Sequence, residues 1–151
     1  MPLPHRNDPA LIRDLLHDPG VWAVVGLSDN ESRDAFTIAR WIKFELGKGI
    51  IPVHPDAKVV HDEQGYATLD DIPDGTDLKV VDCFVNSAEV GAVVDQAIAN
   101  KDRLTIDAIW MQLGVSDEAA AERARAAGLG VVMDACPKIE YTKVQSHPFG
   151  R

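Results

Sequence analysis

Gly26, Leu27 and Ser28 end an apolar run, and Arg33 follows shortly after them, just before a stretch with helical spacing begins near Asp34 or Ala35. These residue types in this order suit an anion. A glycine lets the backbone approach a phosphate, a hydroxyl and a guanidinium add donors, and the first turn of a helix leaves N–H groups unpaired. The plainer alternative is that Gly26 only permits a tight turn while Ser28 and Arg33 are solvated. Covalent chemistry has scattered candidates in Cys136, His54, His61 and Asp134, which would need to converge as nucleophile, base and orienting group. Cys136 either faces a cleft, where it can form a mixed disulfide with a thiol, or is a buried inert thiol. Asp82 and Asp134 are either an acid–base pair or side chains that satisfy loop N–H groups. Trp110 and Met111 read as packing before they read as a stacking platform. His5 and His147 carry no assigned role, and the five histidines show no metal-ligand spacing.

The elements that must position these residues alternate along the chain. Asp8-Pro9 opens a short helix with Leu11, Ile12, Leu15 and Leu16 on one side, ended by Asp18-Pro19-Gly20. Residues 21 to 27 form a continuous apolar run, as a strand buried on both faces requires. Ala35, Ile38, Ala39, Ile42 and Leu46 then recur at helical spacing, and Ile50-Ile-Pro-Val53 is a second strand. A polar excursion over 58 to 72 follows, either a wall of the cleft or a lid. The third strand is expected over 80 to 85, then a helix begun by Asn86 with Glu89 in a capping-box pattern. A fourth strand is expected over 104 to 110. Ser116-Asp-Glu begins a helix rich in alanine that Gly128 ends, and 131 to 133 is a fifth strand. The tail after Lys138 is polar and expected to pack loosely or to meet a partner. This order predicts an α/β fold, a Rossmann-like doubly wound parallel sheet of about five strands in three α/β/α layers. One domain is expected over 1–151, with its core at about 10–140.

Ligands of such sheets sit beyond the carboxyl ends of the strands, where strand order reverses. A dinucleotide site would show G-x-G-x-x-G after the first strand and an acidic residue ending the second. Here Gly26 stands alone and the second strand ends Pro52-Val-His-Pro55, with Asp56 just beyond. A neutral or basic residue there suits a phosphorylated ribose, and His54 and Lys58 are the candidate contacts.

Val25-Gly-Leu-Ser28 with Arg33, Pro52-Val-His-Pro55, Asp82-Cys-Phe84, Trp110-Met-Gln-Leu-Gly-Val115 and Asp134-Ala-Cys-Pro-Lys138 together resemble the small single-domain CoA-binding proteins. That family is similar to the CoA-binding domain of the succinyl-CoA synthetase alpha subunit. The resemblance implies a diphosphate at Gly26, Leu27 and Ser28 near Arg33, and a phosphorylated ribose near Pro52, Val53, His54, Pro55 and Lys58. It places adenine near Phe84, Val85 and Asn86 and puts Gln112, Leu113 and Gly114 along the neighbouring strand end; Cys136 joins the cofactor-binding set as the thiol that would face the cleft. His54 stands where the family usually has Asn, and Val85 and Ala135 stand where Arg is frequent.

The expectation is a module that binds coenzyme A or an acyl-CoA without catalysis, for sensing, storage or delivery, since no second domain with a phosphohistidine follows. The alternative is an NAD- or NADP-binding redox-sensing or oxidoreductase domain in the same cleft. A net charge of −9 opposes nonspecific nucleic-acid binding. No run is long enough to span a membrane. Two cysteines without disulfide or zinc spacing and no secretion signal lead to the expectation of a cytoplasmic protein. The acidic surface is compatible with a homo-oligomer or a protein partner and requires neither.

Overall fold

The computed structural model describes residues 4–146. Its five strands are β1 (Val21–Val25), β2 (Gly49–Val53), β3 (Leu78–Cys83), β4 (Ala108–Met111) and β5 (Gly130–Val132). The helices are α1 (Pro9–His17), α2 (Asp34–Phe44), α3 (Ser87–Leu104), α4 (Glu118–Ala126) and α5 (Pro137–Ser146). All pairings are parallel, in the order β2-β1-β3-β4-β5. The chain therefore winds outward one way from β1 and the other way from β3, and the crevice between these two strands is the switch point of the doubly wound fold.

Strand alternation divides the core into two. Ala23, Val25, Val81, Cys83, Ile109 and Met111 face α3 and α4, whereas Trp22, Val24, Val80 and Trp110 face α1, α2 and α5. On the second face Trp22 and Trp110 meet with ring centroids 5.5 Å apart, and the Trp110 indole N–H donates to the Ala135 carbonyl at 2.9 Å. Such burial on both faces explains why β1 reads as an unbroken apolar run and why β3 is apolar apart from Lys79 near its start and the buried Asp82. Pro52, which lacks an N–H, lies in β2, an edge strand of the ladder.

Several boundaries differ from the sequence reading. β1 stops at Val25 because Gly26 turns the chain, and β3 stops at Cys83, which frees Phe84 and Val85 for the loop. Leu104 ends α3 rather than starting a strand. Thr105 follows in the left-handed region, at φ 55° and ψ 43°, and β4 begins only at Ala108. Through Ser146 the tail after Lys138 is helical, with Tyr141 and Val144 packed on the α1–α2 side. His147 lies outside the described residues.

The excursion over 58 to 72 is a wall held from two sides. Tyr66 donates its N–H to the Pro52 carbonyl and accepts from the His54 N–H, both at 3.0 Å, extending the sheet briefly beyond β2. His61 Nε2 lies 2.9 Å from the Phe36 carbonyl, and its ring packs against the Phe36 ring. On the opposite layer Gln96 accepts the Leu69 N–H at 2.7 Å, and Arg103 donates to the carbonyls of Leu69 and Ile72. At the far edge of the sheet the carboxamide of Asn7 accepts the Met133 N–H at 2.8 Å and donates to the Met133 carbonyl at 2.9 Å.

A candidate cofactor cleft at the strand ends

The floor of the cleft is knitted by three amides just past the strand ends. Gly26 N–H donates to the Val53 carbonyl at 2.7 Å, Phe84 N–H to Val25 at 2.8 Å and Gln112 N–H to Cys83 at 3.2 Å. Gly26 is at φ +100°, and a Cβ there would stand 2.6 Å from the Phe84 carbonyl oxygen. Only glycine fits this crossing, because the backbone is left-handed and the next strand's loop passes against it. The cleft above has a volume of about 1070 Å³.

One wall is the loop from Ser28 to Arg33, shaped by its own side chains. Ser28 Oγ accepts the Asn30 N–H at 3.2 Å, and Asn30 Oδ1 accepts both the N–H and the hydroxyl of Ser32. Arg33 occupies the N-cap of α2 in an extended conformation with no side chain capping the helix, and Asp34 and Ala35 of its first turn line the cleft. Unpaired N–H groups of that turn and the Arg33 guanidinium thus share one end of the crevice. α3 differs. Asn86 Oδ1 accepts the Glu89 N–H at 3.1 Å and so closes that helix start.

The β2 side presents Val53, His54, Pro55 and Asp56. His54 Nδ1 accepts the Asp56 N–H at 3.1 Å, which in the neutral ring leaves the proton on Nε2 as a donor. The other side presents Phe84, Val85, Asn86, Gln112 and Leu113, with Val115 behind. Gln112 is buried and its Oε1 has no partner, whereas Leu113 is 59% exposed.

The cleft thus gathers Gly26, Ser28, Arg33, Val53, His54, Pro55, Phe84, Val85, Asn86, Gln112 and Leu113. Other residues named from the sequence lie off its lining. Leu27 and Pro52 are buried in the core beneath it, and Lys58 is exposed and paired with Asp29 at 3.8 Å. Gly114 donates its N–H to Asp134 Oδ1 at 2.7 Å, and Cys136 is buried at the head of α5. The lining also includes Asp29, Asn30, Ser32, Ala67, Glu89 and Val115, which the sequence reading did not assign to the site, and Asp34 and Ala35, which it named only as the helix start. The polarity of the Ser28 to Asp34 loop was a usable signal for the first of these; Ala67 arrives only through the pairing of Tyr66 with β2.

The titratable residues scatter. Asp134 is held by Gly114, His61 by Phe36, and neither these nor Cys136 line the cleft beside His54. His5 is joined to Asn7 and Arg125. Asp82 is fully buried on the tryptophan face of the sheet, next to Val24 and Trp110, with both carboxyl oxygens unpartnered. It therefore satisfies no loop N–H, and burial pushes its pKa well above the usual carboxylate range, favouring the neutral form. Burial also pushes the Cys83 thiol up, which leaves little thiolate. Among the described residues no three His, Cys, Asp or Glu side chains are placed to hold a metal ion, and no helix is long and apolar enough to cross a membrane.

Residues 20–142 match the family model described as a CoA binding domain. The chain belongs to that family. This CoA binding domain also has relatives of similar length. It is 27% identical over 132 residues to the protein YneT of Bacillus subtilis, covering 87% of this chain and 93% of YneT. A hypothetical protein from Pyrococcus horikoshii superposes with a TM-score of 0.81 at 28% identity, covering 96% of this chain and 99% of that one. The dinucleotide-forming acetyl-coenzyme A synthetase 1 of Ca. Korarchaeum cryptofilum, a longer chain, shares the fold, with a TM-score of 0.64 at 22% identity over 80% of this chain and 27% of its own.

Proposed function

We propose that the cleft binds coenzyme A or an acyl-CoA, and that the chain acts as a noncatalytic binding module for sensing, storing or delivering it. The diphosphate lies at the Gly26 loop against the start of α2, the ribose at the β2 end, and adenine against Phe84, Val85 and Asn86. Gln112 and Leu113 border the pantetheine. The observation that carries this reading is the uncapped α2 start with Arg33 beside it, at the switch point of a CoA binding domain. The scattering of Cys136, His61 and Asp134 away from His54 supports binding rather than covalent chemistry.

The test is calorimetric titration of the whole chain with coenzyme A, NAD and NADP at one ionic strength. Coenzyme A is expected to bind tightest. Arg33→Ala is expected to weaken it by about tenfold, the loss of one charge-assisted hydrogen bond of roughly 1.5 kcal/mol. Preference for NAD or NADP would support the second reading, an NAD(P)-type redox domain, which Asp56 on the lining beyond β2 favours because a carboxylate at that place holds ribose hydroxyls in dinucleotide folds. Unchanged affinity in Arg33→Ala would remove the diphosphate from the α2 start.

A further inference from the structure

Charge is unevenly placed around the cleft. Its lining carries the carboxylates Asp29, Asp34, Asp56 and Glu89 against one guanidinium, that of Arg33. Arg33 and the uncapped helix start belong to the β1 side, the end assigned to the diphosphate. At the β2 end the polar groups are His54 and Asp56, and the exposed Asp56 carboxylate lies 3.6 Å from His54 Nδ1. Lys58, the lysine of this segment, is off the lining and pairs with Asp29 instead. A phosphate dianion is held by cations or by several aimed N–H donors. This end offers one imidazole beside a carboxylate and no lysine or arginine, which is the equipment for ribose hydroxyls.

We propose that the cleft prefers a nucleotide whose ribose carries no phosphate, with Asp56 as the residue that sets this preference. The inference rests on the cofactor reading above and ranks the ligands within it, placing pantetheine-bearing adenosine diphosphates with a free ribose ahead of those that carry the ribose phosphate. Asp56 accepts from a ribose hydroxyl and repels a phosphate placed on the same ring. His54 Nε2 donates to the ring or to its hydroxyls. At the β2 end the ribose phosphate implied by the family resemblance meets no lysine or arginine among the described lining residues.

The experiment compares coenzyme A with dephospho-coenzyme A by calorimetry on the full chain at low, fixed ionic strength. Dephospho-coenzyme A is expected to bind about 3- to 10-fold more tightly, a Coulombic preference that shrinks as salt is raised. Asp56→Asn should narrow the ratio and Asp56→Lys should reverse it. Both changes fall on an exposed loop side chain, so unaltered thermal unfolding is expected and serves as the folding control. Tighter binding of coenzyme A, or equal affinities that ignore both Asp56 variants, overturns the preference while leaving the cofactor reading standing. Binding of neither compound overturns the cofactor reading and this inference with it.

Discussion

Replacing Gly26 by alanine tests whether the crossing of the β1 and β3 loops is what shapes the cleft floor. Two separate costs arise at this residue. An L-residue at positive φ costs roughly 1–2 kcal/mol. The added Cβ must also move away from the Phe84 carbonyl oxygen, since 2.6 Å is far inside contact distance and the obstacle is backbone. Overpacking of that kind costs about 1–3 kcal/mol. Together the two give roughly 2–5 kcal/mol. Gly47 supplies the control, because it has φ +78° and a Cβ added there would meet nothing within 4 Å, so its alanine variant bears the backbone cost alone. Urea unfolding of the wild type and both variants measures the difference directly, and Gly26→Ala should also weaken nucleotide binding as Phe84 is displaced. If the two variants lose stability equally, within about 0.5 kcal/mol of experimental scatter, the close approach contributes nothing and the account of the floor is wrong.

Asp82→Asn removes a buried carboxyl whose pKa is raised by desolvation. A raised acid stabilises the fold fully only below its unfolded pKa near 3.9, so wild-type stability should fall relative to the variant as pH rises, by about 1.4 kcal/mol per unit until the native carboxyl titrates; urea midpoints from pH 4 to 8 that stay parallel would refute this. Cys83, with its thiol pushed up, should resist maleimide labelling in the native protein and react once urea unfolds it, as peptide mass mapping would show. Asn86→Ala removes the side-chain acceptor at the start of α3 and should cost about 1 kcal/mol in the same unfolding assay.

The sequence was legible where burial is symmetric or a local cap is complete. The runs through Trp22 and Val80 face helices on both sides and read as strands from their apolar content despite Asp82, and Asp8, placed before Pro9, caps α1 as its type suggests, accepting the Ala10 N–H at 2.9 Å. At α4 the capping side chain is Asp117, which accepts the Ala120 N–H, rather than Ser116. Thr105 and Ile106 are β-formers by type, yet the left-handed turn at Thr105 joins α3 to β4, with the Thr105 hydroxyl donating to Asp77. α5 was missed because its inward stripe is little more than Tyr141 and Val144 among polar neighbours. In the cleft, Gly26 and Arg33 could be named because both sit beside the first strand. Whether 58 to 72 is wall or lid depended on Gln96, Arg103 and Phe36, which lie far away along the chain.

A parallel sheet is a template, since its outer strand offers the same donors and acceptors to a stranger as to its own next strand. One residue past β5, such a donor and acceptor are taken by a side chain. The Asn7 carboxamide has the size and polarity of one peptide unit, and by taking both the N–H and the carbonyl of Met133 it acts as a chain terminator built from the protein's own leading segment. The place where a sixth strand would continue past β5 is thus partly taken by a residue that belongs to no strand.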